Sequence, residues 1–179
     1  AQSDPTALPQ VTQGSIKLDL HRRDFTINTL AIRLNPEHFG ELLDFYGGKR
    51  DLDRGLIRVL HSLSFIDDPT RILRAVRFEQ RLGFRIEERT EEVLLQSVTL
   101  LDRVTGDRVR HELELMLREA QPERGFRRLA DLGILAQIHP ALVFDDWAQL
   151  RFERLREVLA DRVWMPMVDN LLVEIAYFG

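Results

Sequence analysis

The sequence predicts an α+β protein in which short strands come first and helices follow. Three observations predict this. Short apolar runs of strand length cluster before residue 61. From about Asp68 onward apolar residues recur at helical spacing, and no further strand is convincing. Glycine or proline interrupts the helical runs at Gly83, Pro122 and Gly133.

Taken in order, residues 1–13 show no clear period and contain Pro5 and Pro9. Residues 22–30 read as a short helix or turn. Leu30–Leu34 alternates weakly as a strand, and Leu42–Tyr46 is a second strand candidate. Gly47-Gly48 reads as a tight turn between strands, and Leu56–Leu60 as a third short strand. A helix follows over Asp68–Arg81. Pro69 suits its first position, where a missing N–H costs nothing, and Asp68 suits the N-cap. At roughly 100° per residue, Arg71, Arg74, Arg77 and Arg81 share an arc of about 120°. Ile72, Ala75, Val76 and Leu82 fall opposite and are expected in the core. Further helices are expected over Glu87–Ser97, Asp107–Glu119, Pro122–Asp131, Trp147–Leu159 and Pro166–Tyr177. Three units follow from this reading: a mixed one over 1–62 and helical ones over 63–120 and 121–179. There is no internal repeat. The apolar run Leu171–Phe178 leads us to expect that the native sequence continues past Gly179.

Composition narrows the function classes. With 179 residues, 44% hydrophobic and 30% charged, the chain has the make-up of a globular protein. No segment approaches the apolar run of about 18 residues that a membrane span needs. The N-terminus has no signal-peptide pattern. The absence of cysteine excludes disulfides and thiolate metal sites, which fits a cytoplasmic protein. A net charge of −4 argues against a uniformly basic nucleic-acid binder but allows a local basic face. Of the 25 basic residues only Lys17 and Lys49 are lysines. Bidentate phosphate recognition favours arginine, but codon bias explains the skew equally well.

The richest stretch is Ser64 to Phe78, in which Asp67-Asp68-Pro69 leads into the arginine-studded helix. Carboxylate acceptors and guanidinium donors at one helix end suit a ligand with a base edge and a polyphosphate. An ordinary capped amphipathic helix would also carry these residues. The neighbouring segments add to the pattern: RRDFTIN at 22–28, DFYGGKRDL at 44–52 and RVRHELELML at 108–117. In this order the four segments resemble motifs B, C, D and E of the class II tRNA nucleotidyltransferase and bacterial poly(A) polymerase family, over about residues 14–140. Any one of the four alone would be a weak signal.

The resemblance implies a remnant of a polymerase-beta-like antiparallel sheet head over 1–62, a helical neck over 63–120 and a helical body over 121–179. It implies transfer of AMP, with CMP as a further substrate, from ATP or CTP to the 3′ end of tRNA or another RNA. Two Mg²⁺ ions would activate the nucleophile and stabilise the leaving group. Their ligands in this family are the two aspartates of motif A, upstream of motif B. No such Asp-x-Asp precedes Arg22, so the chain is expected to be an inactive fragment with no catalytic metal ligand of its own. Its head is expected to pair with another chain, as in a homodimer, or to be loosely held. Asp51-Leu52-Asp53 falls within motif C and not in the metal site.

The resemblance also implies roles for single residues. Asp24 would accept a ribose 2′-OH, while Arg22 and Arg23 would hold phosphates or brace the site. A salt-bridged helix start is the structural alternative. Asp67, Asp68 and Arg71 stand where the family carries Glu-Asp-x-x-Arg, which reads the base edge of the incoming nucleotide. Asp67 departs from that pattern by one methylene. Arg74 would touch phosphate or base. Asp44 and Asp51 would support the joint between head and neck, and Gly47 and Gly48 a close backbone approach or simply a turn. Arg110 and Glu112 would form ion pairs behind the Asp68–Arg81 helix. The five histidines show no metal-ligand spacing. Trp147, Phe152 and Trp164 are read as core. The alternatives are a poly(A) polymerase, a non-catalytic helical RNA-binding module, and a helical protein-interaction domain that binds no nucleotide.

Overall fold

A computed structural model describes residues 15–160. The expected helix over Pro166–Tyr177 and the side chain of Trp164 lie outside them. The chain enters through helix α1, Ile16–His21, and a 3-10 turn at Thr26–Thr29. Strands β1, Ala31–Ile32, and β2, Leu42–Leu43, pair antiparallel with Ala31 opposite Leu43 and Ile32 opposite Leu42. Helix α2 spans Gly48–Asp53 and strand β3 spans Leu56–Ile57. The helical series is α3 at Ser64–Asp67, α4 at Arg71–Leu82, α5 at Glu88–Ser97 and α6 at Gly106–Leu117. It ends with α7 at Pro122–Asp131, α8 at Ile134–Ile138 and α9 at Asp146–Ala160. The α+β class is as read from the sequence, and no helix of the described residues is long and apolar enough to cross a membrane.

Two expectations about strands fail. A fourth strand, β4 at Arg85–Ile86, follows α4 and pairs in parallel with β3. Gly83 adopts φ +64° at the end of α4, a conformation glycine takes without steric cost, and turns the chain back along β3. Arg85 and Glu87 then donate their N–H groups to the carbonyls of Gly55 and Ile57, both at 2.9 Å. A two-residue strand is too short to show an alternation, so the sequence pattern hides it. Nor is Gly47-Gly48 a turn between strands. Gly47, at φ +75°, opens α2. Asp44 caps this helix by accepting from the N–H groups of Gly48 (2.8 Å) and Lys49 (3.1 Å). Burial works to raise the Asp44 carboxyl, but the backbone donors together outweigh it and leave the group below its ordinary value. The Gly48 Cα packs so closely on the 3-10 turn that a Cβ would sit 2.2 Å from the Thr26 carbonyl oxygen.

One apolar core runs from the first segment to the last described helix. Phe25 and Ile57 join Phe65, Ile72, Leu73, Val76, Leu94, Leu129 and Ile134 in it. Helix α4 places Ile72, Ala75 and Val76 inside as expected. Leu82 is instead exposed, because it ends the helix where the chain reverses. Phe152 is buried, whereas Trp147 lies on the surface with the Arg151 guanidinium over its ring, contrary to the core reading. The start of α4 also differs in detail. Regular helix begins at Arg71, and Asp68 is extended. The N-cap is Thr70 and not Asp68, whose carboxylate accepts from the Thr70 N–H at 3.1 Å.

Candidate functional site

A cleft of about 480 Å³ opens between the Arg22–Asn28 segment and the start of α4, within the size range of small-molecule sites. Arg22, Arg23, Asp24, Asn28, Asp68, Arg71 and Arg74 line it. Six of the seven residues assigned to nucleotide binding, all but Asp67, line it, from two segments more than forty residues apart. Four arginines against two aspartates give the lining a net positive charge.

Asp24 anchors one wall. It is buried at 7% exposure, and four donors converge on it. Its own residue's neighbour Phe25 donates a backbone N–H to Oδ1 at 2.9 Å, and Asn28 Nδ2 donates to the same oxygen at 2.8 Å. Arg74 donates to Oδ2 through Nε at 2.9 Å and through Nη2. Burial alone would raise the Asp24 carboxyl. The bonds from Asn28 and Arg74, the Arg74 charge and the Phe25 N–H outweigh it and hold the group below its ordinary value. Arg74 also reaches Glu112 at 3.5 Å. Its charge is therefore matched by two carboxylates, and it binds the first segment to α6 through α4.

Asp68 and Arg71 form the other wall. Asp68 Oδ1 accepts from the Thr70 N–H, the Thr70 hydroxyl (2.7 Å) and Arg108 Nη2 (2.9 Å), and Oδ2 accepts from the same Nη2. Burial works to raise this carboxyl too, and the Thr70 donors and Arg108 bring it below its ordinary value. Oδ2 thus keeps acceptor capacity on the cleft side. Arg71 donates through Nη1 to the Ser64 hydroxyl at 2.7 Å and through Nη2 to the Arg22 carbonyl at 2.8 Å. It ties the two walls together and meets no carboxylate there. A guanidinium has five N–H groups, so Arg71 retains donors for a ligand. Arg22 has no ion-pair partner among the described residues, whereas Arg23 leans toward Asp19 at 3.6 Å.

Asp67 does not join the cleft. Its carboxylate lies 3.6 Å from His61 Nε2, on the far side of α3, and His61 in turn packs against the His21 ring. Of the three residues expected at the base edge, only Asp68 and Arg71 line the cleft. Of the supporting residues, Asp51 joins Thr26 to Arg58 within the first unit and reaches the helical part only through Arg58. It is fully buried, accepts from the Thr26 hydroxyl at 2.8 Å and Arg58 Nε at 2.9 Å, and Arg58 goes on to Glu87 at 3.1 Å. Asp44 serves only α2, as described above. Glu112 pairs with Arg74 and Arg77 behind α4, as expected. Arg110 does not: it pairs with Asp107 and Glu114 along its own exposed face. The helical period explains the miss. Arg108, four residues before Glu112, shares its face and reaches Asp68, while Arg110 points away. Asn28 is the other residue overlooked, although it ends the RRDFTIN run.

Residues 2–58 match the family described as the poly A polymerase head domain. Residues 83–145 match the probable RNA and SrmB-binding site of polymerase A. The A-adding tRNA nucleotidyltransferase of Geobacter sulfurreducens is 54% identical over 141 residues, 78% of this chain and 16% of that protein. The chain belongs to the class II tRNA nucleotidyltransferase family. Solved structures of the family superpose well on it. A CCA-adding enzyme with ATP has a TM-score of 0.78 at 47% identity, covering 92% of this chain and 40% of the other. The Thermotoga maritima CCA-adding enzyme complexed with tRNA gives 0.77 at 47% identity, covering 92% and 41%. The chain spans between 16% and 36% of the length of the first curated family members it matches.

Proposed function

We propose that this cleft selects the incoming nucleotide of a template-independent RNA nucleotidyltransferase. The parent protein transfers AMP, and CMP where it adds both, from the triphosphate to the 3′ end of tRNA. The observation that carries the reading is the meeting of Asp24, Asp68 and Arg71 in one positively charged cleft. Asp68 accepts from the exocyclic amine that adenine and cytosine both carry, and Arg71 donates to a ring acceptor. Arg22, which has no carboxylate partner among the described residues, attracts the triphosphate. The RNA 3′-hydroxyl attacks the α-phosphorus and pyrophosphate leaves.

Mg²⁺ belongs to this proposal, but the described residues do not fit it. Among them no three acidic or histidine side chains are grouped to hold an ion. Asp24 and Asp68 are taken up by arginines, Asp51 by Arg58 and Asp53 by Lys49. Its ligands would be other residues of the parent.

The test uses the parent protein, tRNA ending in CC and each of the four ribonucleoside triphosphates. Arg71→Ala removes a charged donor worth about 1.5–3 kcal/mol, so discrimination should fall roughly ten- to a hundredfold. Unchanged relative incorporation would sink the role of Arg71. Products many nucleotides longer than one adenosine would instead identify a poly(A) polymerase.

A further inference from the structure

The two oxygens of the Asp68 carboxylate are held unequally. Each offers about two lone-pair directions. Both Thr70 donors, the N–H at 3.1 Å and the hydroxyl at 2.7 Å, go to Oδ1. Arg108 Nη2 adds a third donor there at 2.9 Å, so Oδ1 has no lone pair to spare for a ligand. Oδ2 has one donor among the described residues, the same Arg108 Nη2 at 2.9 Å. Oδ2 is therefore the oxygen able to accept from a nucleotide, and the one group bonded to it is Arg108.

Arg108 reaches this carboxylate from outside the cleft. It stands in the first turn of α6 and is not among the residues that line the cavity. The pair is partly exposed on both sides, so it adds little to stability. Its geometry is more telling than its energy. A single nitrogen meets both carboxylate oxygens and lies 3.4 Å from the Thr70 hydroxyl oxygen, which frees that hydroxyl's hydrogen for Oδ1. Without Arg108 the Thr70 bonds would anchor Oδ1 and place no direct constraint on Oδ2.

We propose that Arg108 is a positioning residue for nucleotide selection: it fixes Asp68 Oδ2 where that oxygen accepts from the exocyclic amine of the base, and it touches no part of the nucleotide itself. The selecting unit then includes a side chain of α6, forty residues from the aspartate it serves. The proposal rests on the reading of Asp68 as the base-edge acceptor.

The experiment uses the parent protein and tRNA ending in CC. It compares kcat/KM for ATP with that for purine riboside triphosphate, which lacks only the 6-amino group. The variants are Arg108→Ala, Arg108→Lys, Asp68→Ala and the double variant Arg108→Ala with Asp68→Ala. The ratio of the two nucleotides reads the amine contact, whereas a general loss of fold lowers both and leaves the ratio unchanged. In Arg108→Ala the ratio should fall roughly two- to fivefold, the range of a partly exposed ion pair. Arg108→Lys keeps a charged nitrogen, and Arg108 uses only one, so most of the preference should remain. With Asp68 already replaced, removing Arg108 should change the ratio no further, because Arg108 acts only through that carboxylate. If Arg108→Ala does not fold, Arg108→Gln, which is uncharged, takes its place in each comparison. The proposal is overturned if the folded variant keeps the full preference, if lysine does no better than alanine, or if the two substitutions add. A folded Asp68→Ala protein that prefers ATP as strongly as the unmutated one would overturn the base-edge reading of Asp68, and the proposal with it.

Discussion

Between Ile32 and Phe45 the large apolar side chains lie on the surface: Ile32, Leu34, Phe39, Leu42 and Phe45 are all exposed. Between Phe65 and Leu94 their counterparts Phe65, Ile72, Leu73 and Leu94 are fully buried. The first region forms a hairpin of two-residue strands with little buried apolar area of its own, too small to be stable in isolation. The second forms a helical core. The difference shows where the cleft gets its geometry. The Asp68–Arg71 wall is built on the core. The Arg22–Asn28 wall is held to it by a few joints: the buried Phe25 ring, the Thr26 N–H on the Arg58 carbonyl at 2.9 Å, the Thr26–Asp51–Arg58 chain, and Arg74 on Asp24.

The comparison is broken most directly by truncating one aromatic in each region. Phe65→Ala empties a fully enclosed site and should cost about 3–5 kcal/mol. Phe39→Ala, at 74% exposure, should stay within about 0.5 kcal/mol. Urea unfolding of this chain reads both. Comparable losses would mean that the hairpin buries its apolar side chains after all.

A smaller effect is expected at a joint. Gly48→Ala drives a methyl group into the Thr26 carbonyl, an overpacking that should cost about 1–3 kcal/mol. The damage should concentrate in the first region, so amide exchange should quicken around Thr26 and Asn28 before it does in α4. Uniform acceleration, or none, would show that the turn and α2 are not rigidly joined.

How much of this was legible varies by region for the same physical reasons. Helices α5, α6 and α7 could be read because apolar residues at a period of 3.6 persist over three turns and end at Ser97, before Pro122 and at Gly133. The members of the cleft could be named because the RRD and DDPTR runs carry their charges at fixed local spacing. What could not be read depends on distant neighbours. The strand pairing of Arg85–Ile86 exists only because Gly83 returns the chain to Gly55. The turning of Asp67 toward His61, and the filling of Asp24 by Arg74 fifty residues away, leave no trace in local sequence. Arg108 is the intermediate case, since the period that places Glu112 behind α4 places Arg108 there too.

Arg108 also gives the smallest expected effect and the sharpest check on the core-borne wall. Its pair with Asp68 is partly exposed, so Arg108→Ala should cost only about 0.2–1 kcal/mol at neutral pH, less at high salt. The pH dependence identifies the cause. Burial raises the folded Asp68 carboxyl, but the Thr70 donors and Arg108 outweigh it and leave the group below its unfolded value. The associated stability is present above the ordinary carboxylate range and is lost as pH falls through the folded value. Without Arg108 the folded value moves up toward the unfolded one, so less stability remains to be lost. The two proteins should therefore differ at neutral pH and converge in acid, once Asp68 is protonated in both. A difference that stays constant down through the carboxylate range would show that Arg108 acts by packing and not through the Asp68 charge. The Thr70 contacts alone would then orient the Asp68 carboxylate.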